Sequence, residues 1–119
     1  MIKIYRIEHP ENGYGIYGQN NLFDDGKFRY MIKRHNRMPT PCEDTFDGKR
    51  HRLLSEEYCA FNSEKELLKW VTKFECKKLI RRGFKIYEIE IEKFVQSKFQ
   101  TLYKKEDIIN KIDITNKFV

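Results

Sequence analysis

An α+β domain built on a small mixed or antiparallel sheet with two to three helices is what this sequence predicts, and three features carry the prediction. Two stretches, IKIYRIE at 2–8 and FKIYEIEIE at 84–92, alternate or mix β-branched and aromatic residues with charged ones at the period of a strand. Between them, SEKELLKWVTKF repeats its apolar residues at the period of a helix. Strands and helices follow one another without a regular strand-helix-strand repeat, which argues against a doubly wound parallel sheet.

Size and composition fit a single domain, 1–119, whose 39% hydrophobic and 14% aromatic content is enough to offset chain entropy. No apolar run approaches the roughly 20 residues that span a bilayer, and MIKIYRIEHP lacks the apolar segment of a secretory leader, so a cytoplasmic location in the host cell is expected. Cys42, Cys59 and Cys76 contain no CxxC pair and are odd in number. They read as reduced thiols, with Cys59 packed in a strand, and not as a disulfide framework or a zinc site. The 24 Lys and Arg against 18 Asp and Glu give +6 and a pI near 9.2, which favours acidic partners and argues against a DNA mimic. No helix-turn-helix, zinc finger or basic region marks a sequence-specific DNA reader.

Residues 2–8 form the first strand, with Ile2, Ile4 and Arg6 on one face and a turn at His9-Pro10. A guanidinium sharing a face with two isoleucines belongs at a cleft, or against an anion, or at a frayed strand end in water. ENGYGIYGQNN follows, with three glycines and two tyrosines, and reads as an ordered loop that could line a nucleotide pocket. GYGIYG is neither a dinucleotide fingerprint nor a P-loop. Asp24 or Asp25 could cap a helix whose apolar stripe is Phe28, Met31, Ile32 and His35, which makes His35 a core residue more readily than a catalyst. The Pro39 and Pro41 segment blocks regular structure and exposes Glu43, Asp44 and Asp47, loop acids with no histidine spacing to make them a metal site.

A short apolar strand, Tyr58–Phe61, stops at Ser63, where Ser63 and Glu66 are expected to form a capping box and Leu67, Trp70, Val71 and Phe74 make a buried stripe. Beyond Glu75 the apolar phase shifts to Cys76, Leu79 and Ile80, so the helix bends or restarts there before Gly83 ends it. The next strand puts Tyr87, Ile89 and Ile91 on one face and Glu88, Glu90 and Glu92 on the other. A further strand covers Phe99–Tyr103, followed by a short helix carrying Ile108, Ile109 and Ile112.

These stretches carry a resemblance. Tyr5-Arg6-Ile7-Glu8-His9, the loop Asn12 to Gly18, Pro39-Thr40-Pro41-Cys42-Glu43-Asp44, and Phe61-Asn62-Ser63 with Trp70 resemble the layout of small phage-encoded proteins. The same layout is similar to the compact ADP-ribosyltransferase fold. In that fold the first strand supplies an Arg or His to NAD, a strand-to-helix junction a Ser or Tyr, and a late strand a Glu. Arg6 and Ser63 match the first two positions, while the late strand has Lys98 and Gln100 where acids would stand.

Two readings follow from the resemblance. In the favoured one, the scaffold lacks its catalytic glutamate and is a phage accessory protein. Its basic surface then binds a host protein, a nucleoprotein complex or nucleic acid and counters host defence, in the manner of anti-CRISPR proteins. In the other, the protein is an NAD-dependent ADP-ribosyltransferase, with Arg6, Tyr14, Tyr17 and Ser63 holding the nucleotide and Glu88 or Glu90 as the catalytic acid.

Overall fold

The computed structural model describes residues 1–16, 28–35, 37, 45–46, 49–50, 57–97 and 99–119. Strand β1 (Ile2–Glu8) pairs antiparallel along its length with β5 (Lys85–Ile91), from Ile2 opposite Ile91 to Glu8 opposite Lys85. On its other side β1 meets β4 (Glu57–Phe61), with Tyr5 opposite Phe61. From β4 the sheet continues through β7 (Gln100–Lys104) to β6 (Val95–Gln96), and from β5 to β8 (Ile108–Asp113). The result is a six-stranded antiparallel sheet of order β6-β7-β4-β1-β5-β8, beside a separate two-stranded pair of β2 (Thr45–Phe46) and β3 (Lys49–Arg50).

One connection fixes the shape of the sheet. A single 3-10 turn, Lys105–Asp107, joins β7 to β8, although β4, β1 and β5 lie between them. Four strand spacings of a flat sheet are about 19 Å. The four peptide steps from Lys104 to Ile108 reach at most about 14 Å. The sheet therefore curls and has a concave side.

The convex side carries the helices α1 (Arg29–His35), α2 (Glu64–Trp70) and α3 (Lys73–Arg81). Ile7 and Ile86, paired across β1 and β5, pack there with Met31, Leu67, Leu79 and Phe84. The opposite parity places Ile4, Ala60, Ile89, Ile91 and Tyr103 in a second cluster on the concave side. No helix among the described residues is long and apolar enough to cross a membrane.

The helical segment departs from the sequence reading in an instructive way. Ser63 caps α2 by accepting the Glu66 amide at 3.1 Å, but the Glu66 carboxylate turns to Lys69 at 3.1 Å. The complete capping box stands at the start of α3, where Thr72 Oγ1 accepts the Glu75 amide and Glu75 accepts the Thr72 amide. The helix therefore ends at Trp70 and restarts at Lys73, before Glu75 and not after it. Phe74 consequently leaves the buried stripe and is 67% exposed, and Trp70 is only half-buried. Gly83 closes α3 at φ 95° in a Schellman arrangement, Gly83 N donating to Ile80 and Phe84 N to Leu79.

A second correction concerns the C-terminal isoleucines. Ile108, Ile109 and Ile112 were expected on a short helix, but residues 108–113 are strand β8. β-branched side chains suit a pleated surface, and the free edge of β5 supplies the backbone partners that an isolated helix of that length lacks.

α1 is tied to the α2-α3 junction. Arg34 donates to the Lys69 and Trp70 carbonyls at 3.1 and 2.7 Å and forms an ion pair with Glu75. His35 Nε2 donates to the Trp70 carbonyl, which fixes that ring nitrogen as the one carrying a proton. Burial pulls the His35 pKa below 6.5, overriding the Trp70 bond, which raises it. A histidine depressed on folding contributes stability that is complete above its unfolded pKa, about 6.5, and lost as pH falls through the folded value. We expect the urea midpoint to fall between about pH 7.5 and pH 5, and part of that fall to vanish in His35→Gln. A pH dependence identical in the two proteins would show that His35 titrates alike folded and unfolded.

Candidate functional site

The concave side holds the first candidate site. Strand alternation puts Arg6 and Glu8 on the same side of β1 as Ile2 and Ile4, and both are buried. Arg6 Nε donates to Glu8 Oε2 at 2.8 Å, Nη1 to the Cys59 carbonyl at 2.7 Å and Nη2 to the Gly13 carbonyl at 3.0 Å. Its guanidinium carbon lies 5.1 Å from the Tyr58 ring centre. The second Glu8 oxygen accepts from Lys111 of β8, whose ammonium sits 4.4 Å from the Tyr87 ring centre.

The glycine-tyrosine loop meets this group directly. Gly13 N donates to the His9 carbonyl at 2.8 Å, His9 N to the Tyr14 carbonyl at 2.9 Å, and Asn12 Oδ1 accepts the Tyr14 amide at 2.9 Å. The turn requires Gly13 at φ 72°, a conformation that glycine adopts without cost, and it aims the Gly13 carbonyl at Arg6. A cleft of about 250 Å³ opens between this loop and side chains of five strands: Glu8, Tyr58, Tyr87, Tyr103 and Lys111. The Tyr58 and Tyr103 rings are 5.9 Å apart and tilted by 32°. Burial pushes the Tyr103 and Tyr87 phenols above their ordinary pKa, so both are neutral hydroxyls near pH 7. Two cations share one carboxylate at the floor, and three of the five Arg6 donor positions are already engaged by the protein.

The residues expected to act together are dispersed. Neither Arg6 nor Tyr14 lines the cleft: Arg6 is buried against the lining residues Glu8 and Gly13, and Tyr14, next to Gly13, is 55% exposed. Tyr17 lies outside the described residues. Ser63 Oγ is used as the α2 cap. Arg6 faces Tyr87 across the β1-β5 ladder and Tyr5 faces Glu88, so strand parity sets Glu88 and Glu90 on the opposite side of the sheet from Arg6. Glu88 there accepts from the Tyr5 hydroxyl at 3.4 Å and pairs with Lys3 at 3.6 Å. Gln100 is buried and accepts from Cys59 Sγ at 3.1 Å, while Lys98 lies outside the described residues.

Glu8, Tyr58, Tyr87, Tyr103 and Lys111 went unrecognised as neighbours in the sequence. Glu8 alone left a signal there, standing two residues after Arg6 and therefore on its face. Cys76 is buried in α3 and its thiol is pushed up to about 12 by burial, which makes it inert near neutrality. Glu43, Asp44 and Asp47 lie outside the described residues, among which no group of three His, Cys, Asp or Glu could hold a metal ion.

The second candidate is the outer surface of α1 and α3. Residues 29–37 and 73–82 hold nine of the 24 Lys and Arg but one of the 18 acids, Glu75, which is buried and paired with Arg34. The rest of the chain, with fifteen basic and seventeen acidic residues, is nearly neutral. Lys33, Arg37, Lys73, Lys77 and Arg81 are exposed and have no acidic partner among the described residues. Tyr30 and Phe74 stand among them, 71% and 67% exposed.

Comparison with known proteins gives one family. The family model described as Bacteriophage T4 Y00F protein matches residues 1–115. No curated protein and no solved structure matches the chain.

Proposed function

The chain belongs to the bacteriophage T4 Y00F family, and from that premise we propose that it is a phage accessory protein that binds a host macromolecule and thereby counters host defence. The observation that carries this reading is the segregation of charge. The whole excess of positive charge stands on the α1 and α3 surface, and the other residues nearly cancel. Such a surface attracts an acidic partner over a Debye length of about 8–10 Å and orients its approach. The concave cleft is the weaker candidate, because its cations are neutralised within the protein.

ADP-ribosyl transfer would need a carboxylate beside Arg6 on a nucleotide. Glu88 and Glu90 are on the other side of the sheet, and Glu8 is held between two cations. No single observation favours an NAD-dependent enzyme.

Phage carrying the quadruple variant Lys33→Glu, Arg37→Glu, Lys77→Glu, Arg81→Glu tests the binding reading. We expect it to plate as poorly as a deletion on hosts with intact defences, while the purified variant stays folded. Wild-type plating by a folded variant would overturn the reading. So would transfer of label from NAD to a host lysate that disappears in Glu88→Gln or Glu90→Gln.

A further inference from the structure

We propose that the α1 and α3 surface binds single-stranded nucleic acid, with Tyr30 and Phe74 as stacking platforms for unpaired bases and the surrounding Lys and Arg residues on the phosphates. The inference rests on the reading above and names the chemistry of the partner.

Three observations lead to it. The cations and aromatics interleave: Lys78 lies 4.7 Å from the Phe74 ring centre and 5.9 Å from that of Phe28, and Arg29 lies 5.5 Å from that of Tyr30. Arg34 lines one groove with Tyr30, Lys33 and Arg37 and also pairs with Glu75, which brings this face of α1 beside the start of α3, where Phe74 stands exposed. Helix α3 then extends the basic strip through Lys78, Arg81 and Arg82 around Phe28. Exposed rings of this size among cations are costly to leave in water, yet each presents a face on which a base can stack whatever its sequence.

The lysines of the strip weigh toward nucleic acid over an acidic protein. Protein interfaces are depleted of Lys and have an apolar centre. Here four lysines, Lys33, Lys73, Lys77 and Lys78, occupy the strip itself. Paired duplex bases offer no face to Tyr30 or Phe74, so the rings select unpaired strands, while the cations attract either form.

Fluorescence anisotropy with a labelled oligodeoxythymidine of about 20 nucleotides, and with a duplex of equal length, tests this. Affinity for the single strand should fall steeply with salt. Tyr30→Ala and Phe74→Ala should each weaken it about five-fold or more without moving the melting midpoint, and should leave duplex affinity nearly unchanged. Lys77→Glu with Arg81→Glu should weaken both forms. Equal affinity for strand and duplex, untouched by Tyr30→Ala and Phe74→Ala, would overturn the inference. Absence of binding at about 50 mM salt would also overturn it. If that absence accompanied a plating defect in the quadruple charge variant, the partner would be an acidic protein and the binding reading would stand.

Discussion

Glu8→Ala is expected to cost about 3–5 kcal/mol, because it removes the one carboxylate that both Arg6 and Lys111 share. The Arg6 and Glu8 side chains are 10% and 6% exposed, so a guanidinium would be left without its counter-charge in the concave core, reached by water only from the cleft that Glu8 lines. Arg6 would keep the Cys59 and Gly13 carbonyls, whose partial charges do not neutralise it. Urea unfolding of the two proteins measures the difference. The combined Arg6→Leu, Glu8→Leu variant should lose less than the sum of the single losses, because neither charge remains buried alone. A loss below about 1 kcal/mol for Glu8→Ala would mean that water solvates Arg6 after all. Arg6 would then be a cation available to a ligand, as the nucleotide reading requires.

The sheet was legible in the sequence wherever alternation was strong. β1 and β5 follow their apolar pattern, and so does the sharing of one face by Arg6 and the two isoleucines. Of the alternatives for Arg6, a cleft, an anion or a frayed end, the structure gives the anion, Glu8, with the Cys59 and Gly13 carbonyls beside it and Lys111 on the other Glu8 oxygen. Lys111 comes from a strand more than 100 residues away in the chain, reached through a turn whose tightness curls the sheet. Nothing local encodes that encounter. The C-terminal strand was misread for a related reason, since IINKID is short and its isoleucines satisfy helical spacing as well as strand propensity. Pairing with β5, a tertiary fact, decides between them. The basic helical surface was visible as scattered clusters, but their union required α1 to lie against α3, which Arg34 and Glu75 accomplish.

Leu67→Ala and Phe74→Ala form the sharpest test of where the helices break. A single helix running from Ser63 through Phe74 would bury both residues on one stripe. With the break at Val71 and Thr72, Leu67 is fully buried against Met31, Ile86 and their neighbours, while Phe74 turns outward. Leu67→Ala should therefore cost about 2–5 kcal/mol, the range for a leucine whose surroundings collapse only in part around the cavity. Phe74→Ala should change stability by less than about 0.5 kcal/mol, as substitutions on open surface do. Thr72→Ala supplies the third measurement, since losing the N-cap hydroxyl of α3 should cost about 0.5–2 kcal/mol. A single continuous helix predicts a different set. Thr72 would then be an interior residue whose replacement by alanine is neutral or stabilising, and Phe74→Ala would cost several kcal/mol, about as much as Leu67→Ala. Urea titration of the three variants beside the wild type distinguishes the two patterns by sign as well as size. It also decides whether Phe74 stands in water, the condition on which its stacking role depends.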